Sequence, residues 1–271
     1  MIRRLIFVAR MLFWTFIYWP VKKWIGFWFG SITNISLNGY PINVRPGRGV
    51  AKIADLAMAW EVFIDNVYDA FEIGEHDVVF DIGGHIGSFT TKAARKCIHG
   101  QVFSFEPTPE TFSILNQNVK DLKNVKAFRI AISDHSGTEQ IYLSDNNPAE
   151  NSLFRKTDKQ IDVELMTLHD FFSKYEVNRV NLMKLDCEGA EYQIITSSIN
   201  ELKNKVEKIV MEVHEPKYFN IPVHHTIQSL IEIMQTNGFK VNFRRDNQYQ
   251  GYIYAENRNI GVINNNQTSQ N

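Results

Sequence analysis

Val78-Val-Phe-Asp-Ile-Gly-Gly-His-Ile-Gly87 decides the fold class of this 271-residue chain. An apolar run ends in Asp81, glycines stand at 83, 84 and 87, and a helix-compatible stretch opens at Ser88. Such a pattern describes a buried strand that passes through a tight glycine turn into a helix. Glycine suits the turn because the backbone must bend sharply and approach a ligand with no Cβ in the way. Nineteen residues after Gly87 stands Glu106, closing a second apolar run, Val102-Phe-Ser-Phe105. An acid in that place can accept both hydroxyls of a ribose, so the pair reads as a nucleoside-cofactor site. The plainer alternative is a strand–helix turn of any α/β protein.

Working outward, strands are expected at 78–82, 101–105, 125–130, 180–185 and 208–213, and helices at 88–98, 109–121, 189–200 and 224–236. This alternation implies a Rossmann-like, mostly parallel α/β sheet with helices on both faces. After Gly238 the alternation stops: Phe239–Phe243 and Tyr252–Glu256 follow each other with a polar stretch and no helix between them. They form a closing hairpin that sets one antiparallel strand into the sheet. Upstream, residues 31–50 read as a hairpin turning at Asn38-Gly39. Residues 52–71 carry helical periodicity through Leu56, Trp60, Phe63, Ile64, Val67 and Phe71. Four regions result: an aromatic and basic segment (1–30), a hairpin with a capping helix (31–75), an α/β domain (76–260) and a polar disordered tail (261–271).

A net charge of −1 argues against a protein built to grip nucleic-acid backbone, which needs a basic face. Cys97 and Cys187 have no metal-ligand or disulfide spacing and read as buried small apolar residues of a reducing compartment. Residues 1–30 differ from the rest. Leu5 to Trp19 is rich in aromatics but is interrupted by Arg10, and Arg3 lies seven residues earlier on the same helical face. A spanning helix needs about 20 apolar residues and pays roughly 3 kcal/mol for a central arginine. A helix lying in the membrane surface is therefore expected, on the cytoplasmic side; the alternative is docking on the protein's own core or on a partner.

Asp81 bears on the choice of cofactor. A carboxylate at the strand tip repels a pyrophosphate, which wants N–H groups and positive potential. It suits S-adenosylmethionine, whose sulfonium and ammonium are cationic. A nicotinamide-dependent oxidoreductase is thereby disfavoured.

Several further blocks carry a resemblance. They are Asp81-Ile-Gly-Gly-His-Ile-Gly-Ser-Phe-Thr90, Phe105-Glu-Pro107, Ala131-Ile-Ser-Asp134, Leu185-Asp-Cys-Glu-Gly-Ala-Glu191, Met211-Glu-Val-His-Glu215 and Gly238-Phe239. Over residues 60–256 the chain resembles the FkbM-type family of class I S-adenosylmethionine-dependent methyltransferases. The resemblance implies a seven-stranded sheet and O-methylation, often of sugars or other hydroxylated metabolites. Gly84 and His85 depart from the family's more usual alanine and asparagine.

The cofactor-binding residues expected are Asp81, Gly83, Gly84, His85, Gly87, Glu106, Pro107, Ile132, Ser133, Asp134 and Asp186. Asp81, Gly83 and Gly87 are expected to face the methionine half and Glu106 the ribose, and the resemblance implies that Ile132 to Asp134 contact the adenine. The catalytic candidates are His214 as general base, with Asp186 and Glu188 beside it. The structural alternatives are a cap for Asp134 and a first-turn acid for Glu188. Asp186, Glu188, Glu212 and His214 are also oxygen and nitrogen ligands, but the expectation is a mechanism without a metal. The acceptor is expected to be a hydroxyl on a small molecule, glycan or lipid-linked metabolite, bound near 144–160 and 214–224. A scaffold that keeps the fold without catalysis is the other alternative.

Overall fold

In the computed structural model, residues 13, 27, 32–45, 54–144, 157–216 and 226–260 are described. β1 (Thr33–Leu37) and β2 (Tyr40–Val44) pair antiparallel, with Leu37 opposite Tyr40. Asn38 and Gly39 make the two-residue turn with φ of 50° and 83°, the positive values that a tight hairpin demands. α1 (Ala54–Phe63) follows. β3 (Val78–Ile82), α2 (Ser88–Lys96), β4 (Gln101–Phe105), α3 (Pro109–Val119) and β5 (Val125–Phe128) form the first βαβαβ half. β6 (Ala131–Ser133), β7 (Gly137–Tyr142), β8 (Gln160–Thr167) and α4 (Leu168–Lys174) come next. The second half comprises β9 (Val180–Leu185), α5 (Glu191–Ser197), α6 (Ile199–Lys205), β10 (Val206–His214), α7 (Ile227–Thr236), β11 (Phe239–Arg245) and β12 (Gln250–Asn257).

The central sheet has seven strands in the order β11-β12-β10-β9-β3-β4-β5. β5, β4, β3, β9 and β10 run parallel, and β12 is antiparallel to both β10 and β11. This is the Rossmann-like α/β architecture expected, with the closing hairpin in place. The chain leaves β3 toward β4 and β5, then returns to β3's other side as β9. In an open α/β sheet a ligand crevice forms at such a reversal, outside the carboxyl ends of the strands.

Side chains alternate across the strands and build two cores. On one face Phe80, Phe103, Phe105, Met183 and Met211 pack with Phe171 and Phe172 of α4. On the other, Val79, Val102, Leu182 and Val210 pack with Trp60 and Phe63 of α1 and with Ile35, Leu37, Ile42 and Val44 of the hairpin. Two residues further along each strand the same parity places Asp81, Ser104, Lys184 and Glu212, all buried, on this second face. Phe27 is 1% exposed in the same core, whereas Phe13 is 68% exposed.

Three expectations change. The strand at 125–130 ends at Phe128, and Ala131–Ser133 turns into a separate three-stranded sheet, order β6-β8-β7. The helix at 52–71 stops at Phe63, and Asn66 adopts φ 53° two turns before Phe71. The helix at 189–200 divides at Ser198, where φ is −108° and ψ is 15°. Just before the break, Thr196 and Ser197 hydroxyls donate to the carbonyls of Tyr192 and Gln193, both at 2.7 Å. Hydroxyls competing for backbone carbonyls in this way loosen a helix. Most of 1–30, the segments 145–156 and 217–225 (with His224-His225) and the tail at 261–271 lie outside the described residues.

Candidate active site

A cavity opens at the carboxyl ends of β3, β4 and β9. Of the residues expected at a site, Gly83, His85, Glu106, Pro107, Ile132, Asp186 and Glu188 line it. Met58, Phe105, Thr108, Ile141, Cys187 and Ala190 complete much of the wall. Asp81, Gly84, Gly87, Ser133, Asp134 and His214 are not on that wall. Asp134 is held at the surface, accepting from Ser133 Oγ at 3.1 Å and facing His135 Nδ1 at 2.8 Å.

The glycine turn is built by its neighbours. Gly83 and Gly84 N–H both donate to Phe105 O, at 3.1 and 2.8 Å. Gly83 has φ 78°, and a Cβ there would stand 1.8 Å from the Asp186 carbonyl oxygen. At Gly83 the tip of β9 is itself a close approach that demands glycine, beside the ligand approach expected from the sequence. Glu106 is buried, with Oε1 accepting from Thr108 N–H at 2.9 Å and from its hydroxyl, and Oε2 accepting from His85 N–H at 3.1 Å. Burial pushes its carboxyl upward, and these three hydrogen bonds oppose the push. Its remaining lone pairs are aimed from a fixed carboxylate, as capture of a diol requires.

His85 is held from behind. Its Nε2 lies 3.3 Å from an Arg45 nitrogen and 3.5 Å from Asp55 Oδ1, and Arg45 closes on both Asp55 oxygens at 2.7 and 2.9 Å. Arg45 also donates to Thr111 at 3.1 Å. Burial pushes the His85 imidazole down to about 4, so the ring is neutral near pH 7.

Lys184 went unnoticed in the sequence. It is buried, donates to Gly83 O at 2.7 Å, and stands 3.2 Å from Asp81 Oδ1 and 3.8 Å from Asp186 Oδ2. Thr90 donates to Asp81 Oδ2 at 2.6 Å. Asp81 therefore faces Lys184 and Thr90 behind the glycine turn; the expectation was that it faces a cofactor ammonium directly or through water. A lysine inside a strand of alternating pattern carries no local signal; its parity with Asp81 and Ser104 is the clue that exists.

Beyond Asp186 the acids gather. Tyr68 OH lies 2.9 Å from Asp186 Oδ2 and 3.3 Å from Glu212 Oε2. His214 Nε2 lies 3.5 Å from Glu212 Oε1 and 3.9 Å from Glu188 Oε2, and its Nδ1 lies 3.6 Å from Glu191 Oε1. Burial and the charges of Glu212 and Asp186 push the Glu61 carboxyl up to about 8. Burial would lower His214, but Glu188, Glu191 and Glu212 outweigh it and hold the imidazole well above the usual histidine range. His214, expected as the general base, is not on the cavity wall, which Asp186 and Glu188 reach.

The sequence pattern of the methyltransferase FkbM domain matches residues 81–241, more than half of the chain. The chain belongs to the FkbM methyltransferase family. Among its relatives, methyltransferase sdnD of Sordaria araneosa is 26% identical over 217 residues, covering 68% of this chain and 82% of that protein. Hexuronic acid methyltransferase AglP of Haloferax volcanii is 28% identical over 201 residues, covering 72% of this chain and 80% of that protein. The 31-O-demethyl-FK506 methyltransferase FkbM of Streptomyces tacrolimicus is 23% identical over 225 residues, covering 70% and 84%.

This FkbM-family chain is an S-adenosylmethionine-dependent methyltransferase. The cavity suits that cofactor: apolar walls at Phe105, Ile132 and Ile141 fit a purine, the fixed Glu106 carboxylate fits a ribose, and Asp186 fits a cationic end.

Proposed function

We propose that the chain methylates a hydroxyl oxygen of a sugar, glycolipid or similar polar metabolite. One observation carries the proposal: a single cavity joins the diol-accepting Glu106 to Asp186 and Glu188, the edge of the acidic cluster. Two relatives support an oxygen acceptor, since one is named for a hexuronic acid and another for the 31-O position of its substrate. S-adenosylmethionine supplies an electrophilic methyl group on a sulfonium sulfur.

The chain's own residues then divide the work. Glu106 binds the ribose hydroxyls, with Pro107 stiffening the turn behind it. Gly83, Gly84, His85 and Gly87 shape the loop, and Ile132 forms part of the purine wall, with Ser133 and Asp134 supporting it from outside the cavity. Asp186 faces the cationic methionine half, with Asp81 acting one step back through Lys184. Glu188 lines the cavity and has φ 51°, a left-handed conformation that a non-glycine residue adopts at a cost of about 1–3 kcal/mol and that clusters at working sites. Glu188 is placed to accept the hydroxyl proton as the new C–O bond forms and the C–S bond breaks, its electron pair staying on sulfur. His214 stands nearby, its Nε2 3.9 Å from Glu188 Oε2. Positioning the oxygen for in-line attack supplies much of the acceleration.

Residues 1–24, which precede the core-seated Phe27, are proposed to hold the enzyme at the cytoplasmic face of a membrane, near a lipid-linked acceptor. The abundance of aromatic and basic residues supports this. Among the described residues no helix is long and apolar enough to cross a membrane.

The test is methyl transfer from labelled S-adenosylmethionine to uronic acid glycosides and to glycolipids, beside calorimetry of the cofactor alone. Glu106→Ala is expected to weaken cofactor binding about 10-fold or more, since a charge-assisted hydrogen bond contributes roughly 1.5–3 kcal/mol. Unchanged affinity in this variant would remove Glu106 from the ribose site. Label appearing on no hydroxyl of either acceptor class would remove the proposed chemistry.

A further inference from the structure

We propose that Asp186, Glu212 and His214 form a site for a hard divalent cation such as Mg²⁺ or Mn²⁺, which binds the acceptor hydroxyl. The acceptor part rests on the methyl-transfer proposal above.

One donor atom from each of the three residues lies within 4.8 Å of the other two. Donors on one octahedral ion with bonds of about 2.1 Å stand about 3 Å apart when adjacent and about 4.2 Å apart when opposite, so small side-chain rotations close the site. The donor set is mixed: the two carboxylates are the oxygen donors that Mg²⁺ and Mn²⁺ take, and the imidazole is a ligand that Mn²⁺ accepts more readily than Mg²⁺. The three come from the tips of two neighbouring strands, Asp186 just past β9 and Glu212 and His214 on β10.

What separates this group from a chance gathering of acids is how it is held from outside. Tyr68, from the stretch after α1, places its hydroxyl on the outer oxygens Asp186 Oδ2 and Glu212 Oε2. That leaves Asp186 Oδ1 and Glu212 Oε1 for an ion. The far nitrogen of His214 faces Glu191 Oε1 at 3.6 Å, and this carboxylate is fixed by the N–H groups of Cys187 and Gly189 at 2.9 and 3.3 Å. A carboxylate behind the non-ligating nitrogen is the usual support of a metal-bound imidazole.

Charge points the same way. Asp186, Glu188, Glu191 and Glu212 crowd around one imidazole, and the ammonium of Lys184 is shared with Asp81. Burying carboxylates together is costly unless cations compensate them. Asp186 lines the cavity, so an ion there reaches an acceptor oxygen beside the methyl donor. By polarising the hydroxyl it eases loss of the proton, which Glu188 receives.

The experiment is titration of the full metal-free chain with Mn²⁺, followed by electron paramagnetic resonance. One saturable Mn²⁺ per chain is expected, weakened about 10-fold or more in Glu212→Gln and in His214→Gln. Tyr68→Phe, which keeps the ring and loses only the hydroxyl, should weaken binding by a smaller factor and guards against misfolding of the other two. Chelator-treated enzyme should lose methyl transfer and regain it with Mg²⁺. No saturable Mn²⁺, or equal affinity in all three variants, overturns the site. Transfer that proceeds in excess chelator overturns it while leaving the methyl-transfer proposal intact. Mn²⁺ binding without any hydroxyl methylation leaves the site standing and removes the acceptor role.

Discussion

His85 shows how one side chain can be set by partners far away in sequence. Its backbone N–H holds Glu106, its ring rests on Arg45 and Asp55, and burial pushes its imidazole down to about 4. The unfolded chain, with a histidine near 6.5, binds a proton that the folded chain refuses until near pH 4. Stability from this group is therefore complete above pH 6.5 and is lost as pH falls toward 4. The difference amounts to about 3 kcal/mol. Urea unfolding of the wild type and His85→Asn across pH 7.5 to 4 should show the wild type's advantage shrinking by about that amount; parallel curves would assign the loop's stability elsewhere. Glu106 was legible as an acid ending a strand, and Asp186 as an acid ending another. Lys184 was not, because a buried ammonium is understood only when Asp81, Asp186 and Gly83 O are seen around it.

At the scale of elements, the glycine turn, β3, β4, β9, β10 and the closing hairpin follow from apolar runs and punctuation. The small sheet β6-β8-β7 does not. β8 does alternate, Ile161, Val163 and Leu165 turning inward between exposed Gln160, Asp162 and Glu164, a strand signal that was overlooked; β6, only three residues long, carries none. Its attachment is aromatic: Phe171 of α4 is fully buried, with ring centroids 4.7 Å from Phe105, 5.2 Å from Phe128 and 5.5 Å from Phe80. Phe171→Ala should cost about 3–5 kcal/mol, the usual range for a buried phenylalanine. A urea midpoint shifted by less than the equivalent of 1 kcal/mol would mean that the small sheet is fastened elsewhere. Because Ile132 of β6 and Ile141 of β7 line the cavity, the same change should weaken cofactor binding. Affinity is the sharper readout of the two.

On the scale of the whole molecule, the N-terminal hairpin and α1 belong to the working protein although the family match begins at residue 81. Arg45 and Asp55 buttress His85, Met58 lines the cavity, and Tyr68 reaches the acidic cluster. Phe27 is seated in the same core, so a test of membrane attachment should spare it. Removing residues 1–24 is expected to release the chain from anionic vesicles while leaving cofactor affinity unchanged. Sedimentation with vesicles checks the first half and calorimetry the second, and persistent sedimentation would end the proposal for this segment. By itself the sequence determined the fold class, the cofactor and the strand tips that carry the site, because periodicity, glycines and terminal acids act within a few residues. Only the tertiary structure decided that Asp81 turns to Lys184, that Arg45 stands behind His85, and that Asp186, Glu212 and His214 meet around one point. Those arrangements depend on strand order and parity across the sheet, and on the burial that makes charges separated by a hundred residues act on one another.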